Sequence, residues 1–198
     1  VNVGTLLLAK ANGTSPVNAC GDGILTINNG ATVRYAASST NPDMIGTNVI
    51  NVYASGVLDF NGASDLVGPV NISSGGAVSD TTAITNSTGG GTWTVNNLFI
   101  TPTPGYITRV SSGSGTIALN SSNIVFYSSG NGRARISGNL SLGSATRYLT
   151  TAQGVHPDYD LAIDAVISGA AGSGIIKDSV IYSWGTSTGG SIRFEGAN

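Results

Sequence analysis

The feature that most constrains this chain is a short local pattern: a glycine, a spacer, an apolar residue, a second spacer and another apolar residue, then Asn, Ser or Gly. It runs as Gly4-Thr-Leu-Leu-Leu8, Gly23-Ile-Leu-Thr-Ile27, Gly30-Ala-Thr-Val-Arg-Tyr35 and Gly56-Val-Leu-Asp-Phe60, and it returns at 76–78, 115–119, 138–142, 174–176 and 190–194. Period-two alternation sends the apolar pair to one face of a pleated strand and the spacers to the other. The glycine ahead of each strand supplies a tight corner or a positive φ that a β-branched residue adopts only with strain. Helical spacing is almost absent, because Gly, Pro or a run of Ser, Thr and Asn interrupts nearly every stretch of about ten residues. The one exception, 158–167, alternates through Leu161, Ile163, Ala165 and Ile167 and is read as a strand.

Further short strands are expected at 48–53, 92–95, 98–101, 106–110 and 124–127. Strands of this length with no helices between them fit a β-sandwich, an antiparallel barrel or a parallel β-solenoid. Hairpin folds favour Asn-Gly or Asp-Gly turns midway between matched strands, and few of the pairs here, such as Asn61-Gly62 and Asn131-Gly132, sit there. The motif instead recurs at intervals of 19 (Gly4 to Gly23), 20 (Gly56 to Gly76) and 23 (Gly115 to Gly138). That favours the solenoid. At roughly 22 residues per coil, residues 1–198 form a single all-β domain of about nine coils and a rod about 43 Å long. Leu6, Leu8, Ile24, Leu58, Phe60, Leu119, Leu140, Leu142 and Phe194 are expected to point inside.

Charge narrows the functional classes. Lys and Arg total 8, Asp and Glu 10, and the net charge is −2. Nucleic acid is excluded as a partner, since a phosphate-binding face needs clustered cations. No apolar run approaches the roughly 18 residues that cross a bilayer as a helix, so no membrane insertion is expected. The hydrophobic fraction of 40% and a mean hydropathy of +0.17 argue against a disordered linker. A single cysteine, Cys20, excludes an intrachain disulfide and reads as a packed thiol near the turn Cys20-Gly21-Asp22-Gly23. With no initiator Met and no leader pattern, the chain is expected to be a mature product or a fragment.

The segments Val1-Asn-Val-Gly-Thr-Leu-Leu-Leu-Ala-Lys10, Gly23-Ile-Leu-Thr-Ile-Asn-Asn-Gly30 and Gly56-Val-Leu-Asp-Phe-Asn-Gly62 resemble the autotransporter-associated β-strand repeats of large bacterial surface and secreted proteins. So do Tyr159-Asp-Leu-Ala-Ile-Asp164, Gly174-Ile-Ile-Lys177 and Ile192-Arg-Phe-Glu-Gly-Ala-Asn198, while 81–155 match only in general character. The resemblance implies a right-handed parallel β-helix, a location outside the cell or on a bacterial cell surface, and a role as stalk, adhesin or passenger. It implies no catalytic site and no cofactor.

Searching the residues for chemistry gives little. His156, Asp158 and Asp160 cluster, but a polar loop marked by Pro157 accounts for them as well as a metal or acid–base site does. Polysaccharide-cleaving β-helices need several Asp beside an Arg or Lys; Asp59 and Asp80 could stack on successive coils but have no Arg in register. Arg109, Arg133, Arg135 and Arg147, with Tyr127 and Tyr148 near them in sequence, form the one basic and aromatic concentration, a candidate glycan-binding face for an adhesin. The alternative is an exposed strand whose charges discourage lateral aggregation. Trp93 and Trp184 could anchor either the core or a contact surface.

No catalytic residue or metal ligand is assigned. The leading expectation is a structural unit that meets copies of itself or flanking repeats head to tail. A parallel β-helix leaves an unpaired strand edge at each end, and the expected edges are Val1, Val3 and Leu6 at one end and Ile192 and Phe194 at the other.

Overall fold

The computed structural model describes residues 1–9, 18–36, 44–74, 81–127, 131–152, 154, 158–181 and 187–196. Among these residues there are 17 strands and no helix, and the strand pairings are parallel with one exception. The strands stack on three faces of a β-solenoid. The first face carries Gly4–Leu8, Ala31–Tyr35, Val57–Asp59, Thr81–Thr85, the starts of Ile107–Phe126 and Arg133–Ser141, Leu161–Ile163 and Ile192–Phe194. The second carries Leu25–Ile27, Ile50–Tyr53, Val70–Ser74, the ends of Thr92–Pro102 and Ile107–Phe126, Thr146–Thr151 and Gly174–Ile181. The third carries Asp65–Val67, the start of Thr92–Pro102, the middle of Ile107–Phe126, the end of Arg133–Ser141 and Val166–Ser168.

Alternation builds the core as the sequence pattern requires. Along the first face Leu6, Val33, Leu58, Ile84, Val110, Ile136, Ile163 and Phe194 come into register as one inward row. Every interior member is at most 1% exposed, whereas the terminal Leu6 and Phe194 are 39% and 49% exposed. The second face aligns Leu25, Ile50, Val70, Leu98, Ile124 and Leu149, and the third aligns Trp93, Ile117, Leu140 and Ile167. Tyr35, Phe60 and Trp93 form an internal aromatic stack with ring centroids 5.0 and 4.5 Å apart, which places Trp93 in the core. Trp184 lies outside the described residues.

Nine coils is too many. Successive members of the first-face row, such as Val33 and Leu58 or Ile163 and Phe194, stand further apart in the chain than even the widest motif interval, and about five turns carry all three faces. The motif misleads because it opens different faces: Gly4 precedes a first-face strand, Gly23 a second-face strand and Gly115 a third-face strand. The interval from Gly4 to Gly23 is therefore less than a turn. The eight rungs of the first face span roughly 34 Å rather than 43 Å.

Other expectations change locally. Segment 158–167 is two strands, Leu161–Ile163 and Val166–Ser168, on different faces and separated by a corner at Asp164 and Ala165. Ile24 is 64% exposed because it lies in the turn before Leu25–Ile27 rather than in the strand. The expected strand at 76–78 lies outside the described residues. The antiparallel exception pairs Val180 and Ile181, at the end of Gly174–Ile181, with Thr188 and Ser187, and an antiparallel bridge joins Ala152 to Gly189.

Candidate functional site

Corners bring polar residues from successive turns together, and the first such cluster centres on Asp59. Contrary to the expectation that Asp59 has no Arg in register, Arg34 stands level with it on the preceding turn. The Asp59 side chain is fully buried and accepts hydrogen bonds from Arg34 Nε at 2.7 Å, the Asn61 N–H at 2.9 Å, the Ser87 N–H at 3.0 Å and the Ser87 hydroxyl at 2.8 Å. Burial pushes this carboxyl up, but the Ser87 bonds, the Asn61 N–H and Arg34 together hold it below the ordinary carboxylate value. A depressed folded-state pKa stabilises the fold above the unfolded value of about 3.9, and that stabilisation is lost as pH falls through the folded-state value. The urea midpoint should therefore drop as the solution is acidified through the carboxylate range, and Asp59→Asn should show a shallower drop in the same window.

A second cluster lies on the first face toward the carboxyl end. Arg109, Arg135 and Arg193 share one outward row with Ala162. Arg135 pairs with Asp164 and, at 3.1 Å, with Glu195, while Arg193 also pairs with Glu195. The hydrogen bond from Arg135 to Asp164 pushes the guanidinium pKa up, so its charge is fixed and locally compensated. Arg133 and Arg193 lie against the buried Tyr159 ring, with guanidinium carbons 5.2 and 4.1 Å from its centroid.

The structure divides the expected Arg and Tyr face between surfaces. Arg109, Arg133 and Arg135 are on the first face, and Tyr127 and Tyr148, each 41% exposed, are on the second. Arg147 belongs to neither surface: it is 4% exposed and donates through Nε to the Leu142 carbonyl at 2.6 Å and through Nη1 to the Asn120 carbonyl at 3.1 Å, tying a corner across turns. The side chain that sequence adjacency placed beside Tyr148 thus points into the rod.

Tyr127 instead joins residues that sequence reasoning passed over. On the second face Tyr53, Ser73 and Thr101 are in register, and Tyr127, which follows the Phe126 partner of Ile100, comes level with Thr101. With Asn51, Asn71, Ile72 and Phe99 these residues line an open groove of about 340 Å³. Their shared row is a tertiary property. The steps from Tyr53 to Ser73, from Ser73 to Thr101 and from Thr101 to Tyr127 are unequal in length, so no fixed period would have exposed the row beforehand.

At the amino end Val3 is 80%, Ile24 64% and Leu7 54% exposed, and a depression of about 530 Å³ is lined by Val1, Leu6, Leu8, Cys20 and Leu25 among others. Val1 is itself partly packed, its ammonium donating to the Thr26 carbonyl at 2.6 Å. At the carboxyl end Phe194 is 49% and Val166 48% exposed, while Ile192 packs partly on the core. Cys20 is half-buried, and burial, then the nearby Asp65, pushes its thiol up. Asp65 occupies an inward position in register with Trp93 and accepts from the Tyr35 hydroxyl and, at 3.0 Å, from the Ile45 N–H.

Among the described residues no group of three or more His, Cys, Asp and Glu side chains could hold a metal ion, and Asp160 is engaged by the Gly154 and Ser191 N–H groups at 2.8 and 2.7 Å. His156 and Asp80 lie outside the described residues. Within those residues no helix is long and apolar enough to cross a membrane. The fold thus defines the class as a parallel β-solenoid. No protein-family model matches the chain, and comparison with curated proteins and with solved structures gives no match.

Proposed function

We propose that this chain is a structural segment of an extracellular, right-handed β-solenoid that builds a stalk, filament or surface layer by continuing end to end. The observation that carries this reading is the inward row of the first face. Its interior members are at most 1% exposed, yet the same row finishes in Leu6 and Phe194, 39% and 49% exposed. These terminal side chains have the direction of core residues and lack only the next turn. Among the described residues the outer strands of the first face, Gly4–Leu8 and Ile192–Phe194, each pair with one neighbour only, and another parallel strand would complete the other edge. The next turn comes from flanking repeats of the same polypeptide or from a second copy meeting it head to tail through an open, heterologous contact. The role is non-enzymatic and needs no cofactor, in keeping with the resemblance to passenger-type repeats.

Electron microscopy of native material tests this. Continuous rods thicker than one strand and much longer than roughly 34 Å are expected, whereas isolated particles of that length or closed lateral dimers would overturn the proposal. Intact mass under denaturing conditions then separates a covalent array from a non-covalent polymer. In the isolated chain, Phe194→Asp should abolish end-to-end growth while leaving the melting temperature within a few degrees, because the side chain is already half exposed.

A further inference from the structure

We infer that the second-face groove between Tyr53 and Tyr127 is a binding site for an uncharged oligosaccharide. The two tyrosines stand in one outward row with Ser73 and Thr101 between them, three strand steps and so about 14 Å apart along the rod. Each is about two-fifths exposed, at 42% and 41%, although the core beneath them (Val52, Ile72, Ile100, Phe126) is closed. Beside this row run Asn51, Asn71 and Phe99. Asn71 Nδ2 donates to Asn51 Oδ1 at 2.8 Å. That bond leaves the Asn51 amide hydrogens and the Asn71 carbonyl oxygen as a donor and an acceptor at the floor of the groove.

The chemistry of this lining selects the ligand. None of the groove residues carries a charge, so a phosphate, a sulfated chain or a uronic-acid polymer would enter without a counter-charge, its desolvation uncompensated. A peptide binding as an added strand is excluded on this face, because the strands that carry the groove already pair with neighbouring turns on both sides. What remains is a ligand read by side chains alone: apolar sugar faces stacking on tyrosine rings, and hydroxyls exchanging hydrogen bonds with amides and with the Ser73 and Thr101 hydroxyls. An extended sugar chain lying along the rod would meet one rung after another. The two tyrosines would hold units near its ends and the asparagine pair would engage a unit between them. This site is distinct from the arginine cluster on the first face, and it does not depend on whether the rod continues beyond its ends.

The test is calorimetric titration of the full chain with linear gluco-, manno-, xylo- and N-acetylglucosamine oligomers of increasing length, with oligogalacturonate as the acidic comparison. Binding is expected in at least one neutral series, strengthening with length until the groove is spanned. In that series the Tyr53→Ala, Tyr127→Ala double variant should bind about tenfold more weakly or worse, while Tyr127→Phe stays within about threefold. Melting temperature and circular dichroism of the variants should match the parent, since both rings are at the surface. The inference is overturned if no neutral series binds, if binding survives loss of both rings, or if oligogalacturonate binds as well as the neutral chains.

Discussion

Leu140→Asp should leave the chain unfolded at ordinary temperatures. Leu140 is fully buried on the third face, in register between Ile117 and Ile167, so the new carboxylate would be buried in a row of apolar side chains. Losing the leucine alone costs about 3 kcal/mol as a cavity, and burying an unpaired charge or protonating it adds several more. The sum exceeds the roughly 5 kcal/mol at the lower end of domain stability. Leu140→Ala separates the two effects: it should remain folded with a lowered urea midpoint, while Leu140→Asp should lose the β signal in circular dichroism. A cooperative, parent-like melt for Leu140→Asp would mean that this row is not the core.

The second large effect comes from a glycine whose role is closeness rather than backbone freedom. A Cβ at Gly115 would lie 2.2 Å from the Gly90 carbonyl oxygen, 2.4 Å from Asn86 Nδ2 and 2.8 Å from the Gly91 carbonyl oxygen. Two of these are backbone atoms of the preceding turn, and the adjacent Thr116 N–H donates to the Gly91 carbonyl at 3.0 Å. Gly115→Ala must therefore push the turns apart at a corner and strain that bond, a loss of about 3 kcal/mol. Gly174→Ala provides the control. It opens a copy of the same sequence motif, but the nearest atom to its Cβ would be Thr146 Oγ1 at 3.8 Å, so the change should be neutral or slightly stabilising. Paired chemical denaturation of the two variants distinguishes a packed corner from a generic preference for glycine.

These two glycines show where local reading stops. Both begin a Gly-x-apolar segment, and nothing in either pentapeptide says that one meets a neighbouring backbone and the other does not. The difference arises from the turn below, one circuit earlier in the chain at Gly90 and Gly91. The candidate sites divide in the same way. Arg147 and Tyr148 are neighbours in sequence, yet alternation turns one into the corner and the other to solvent. Tyr53 and Tyr127 are far apart in sequence and share one row.

What the sequence determined by itself is the all-strand character of the described residues and the identity of most inward side chains, because period-two alternation acts over a few residues and needs no partner. Leu8, Leu58, Phe60, Leu119, Leu140 and Leu142 are buried as that pattern requires. Turn length, the number of turns and the composition of each surface row were decided only in the tertiary structure. Register in a parallel stack is set by which distant segments bury their apolar faces against one another. Corners of unequal length then let the spacing vary, from the short step between Tyr53 and Ser73 to the long one between Ile163 and Phe194, without breaking the rows.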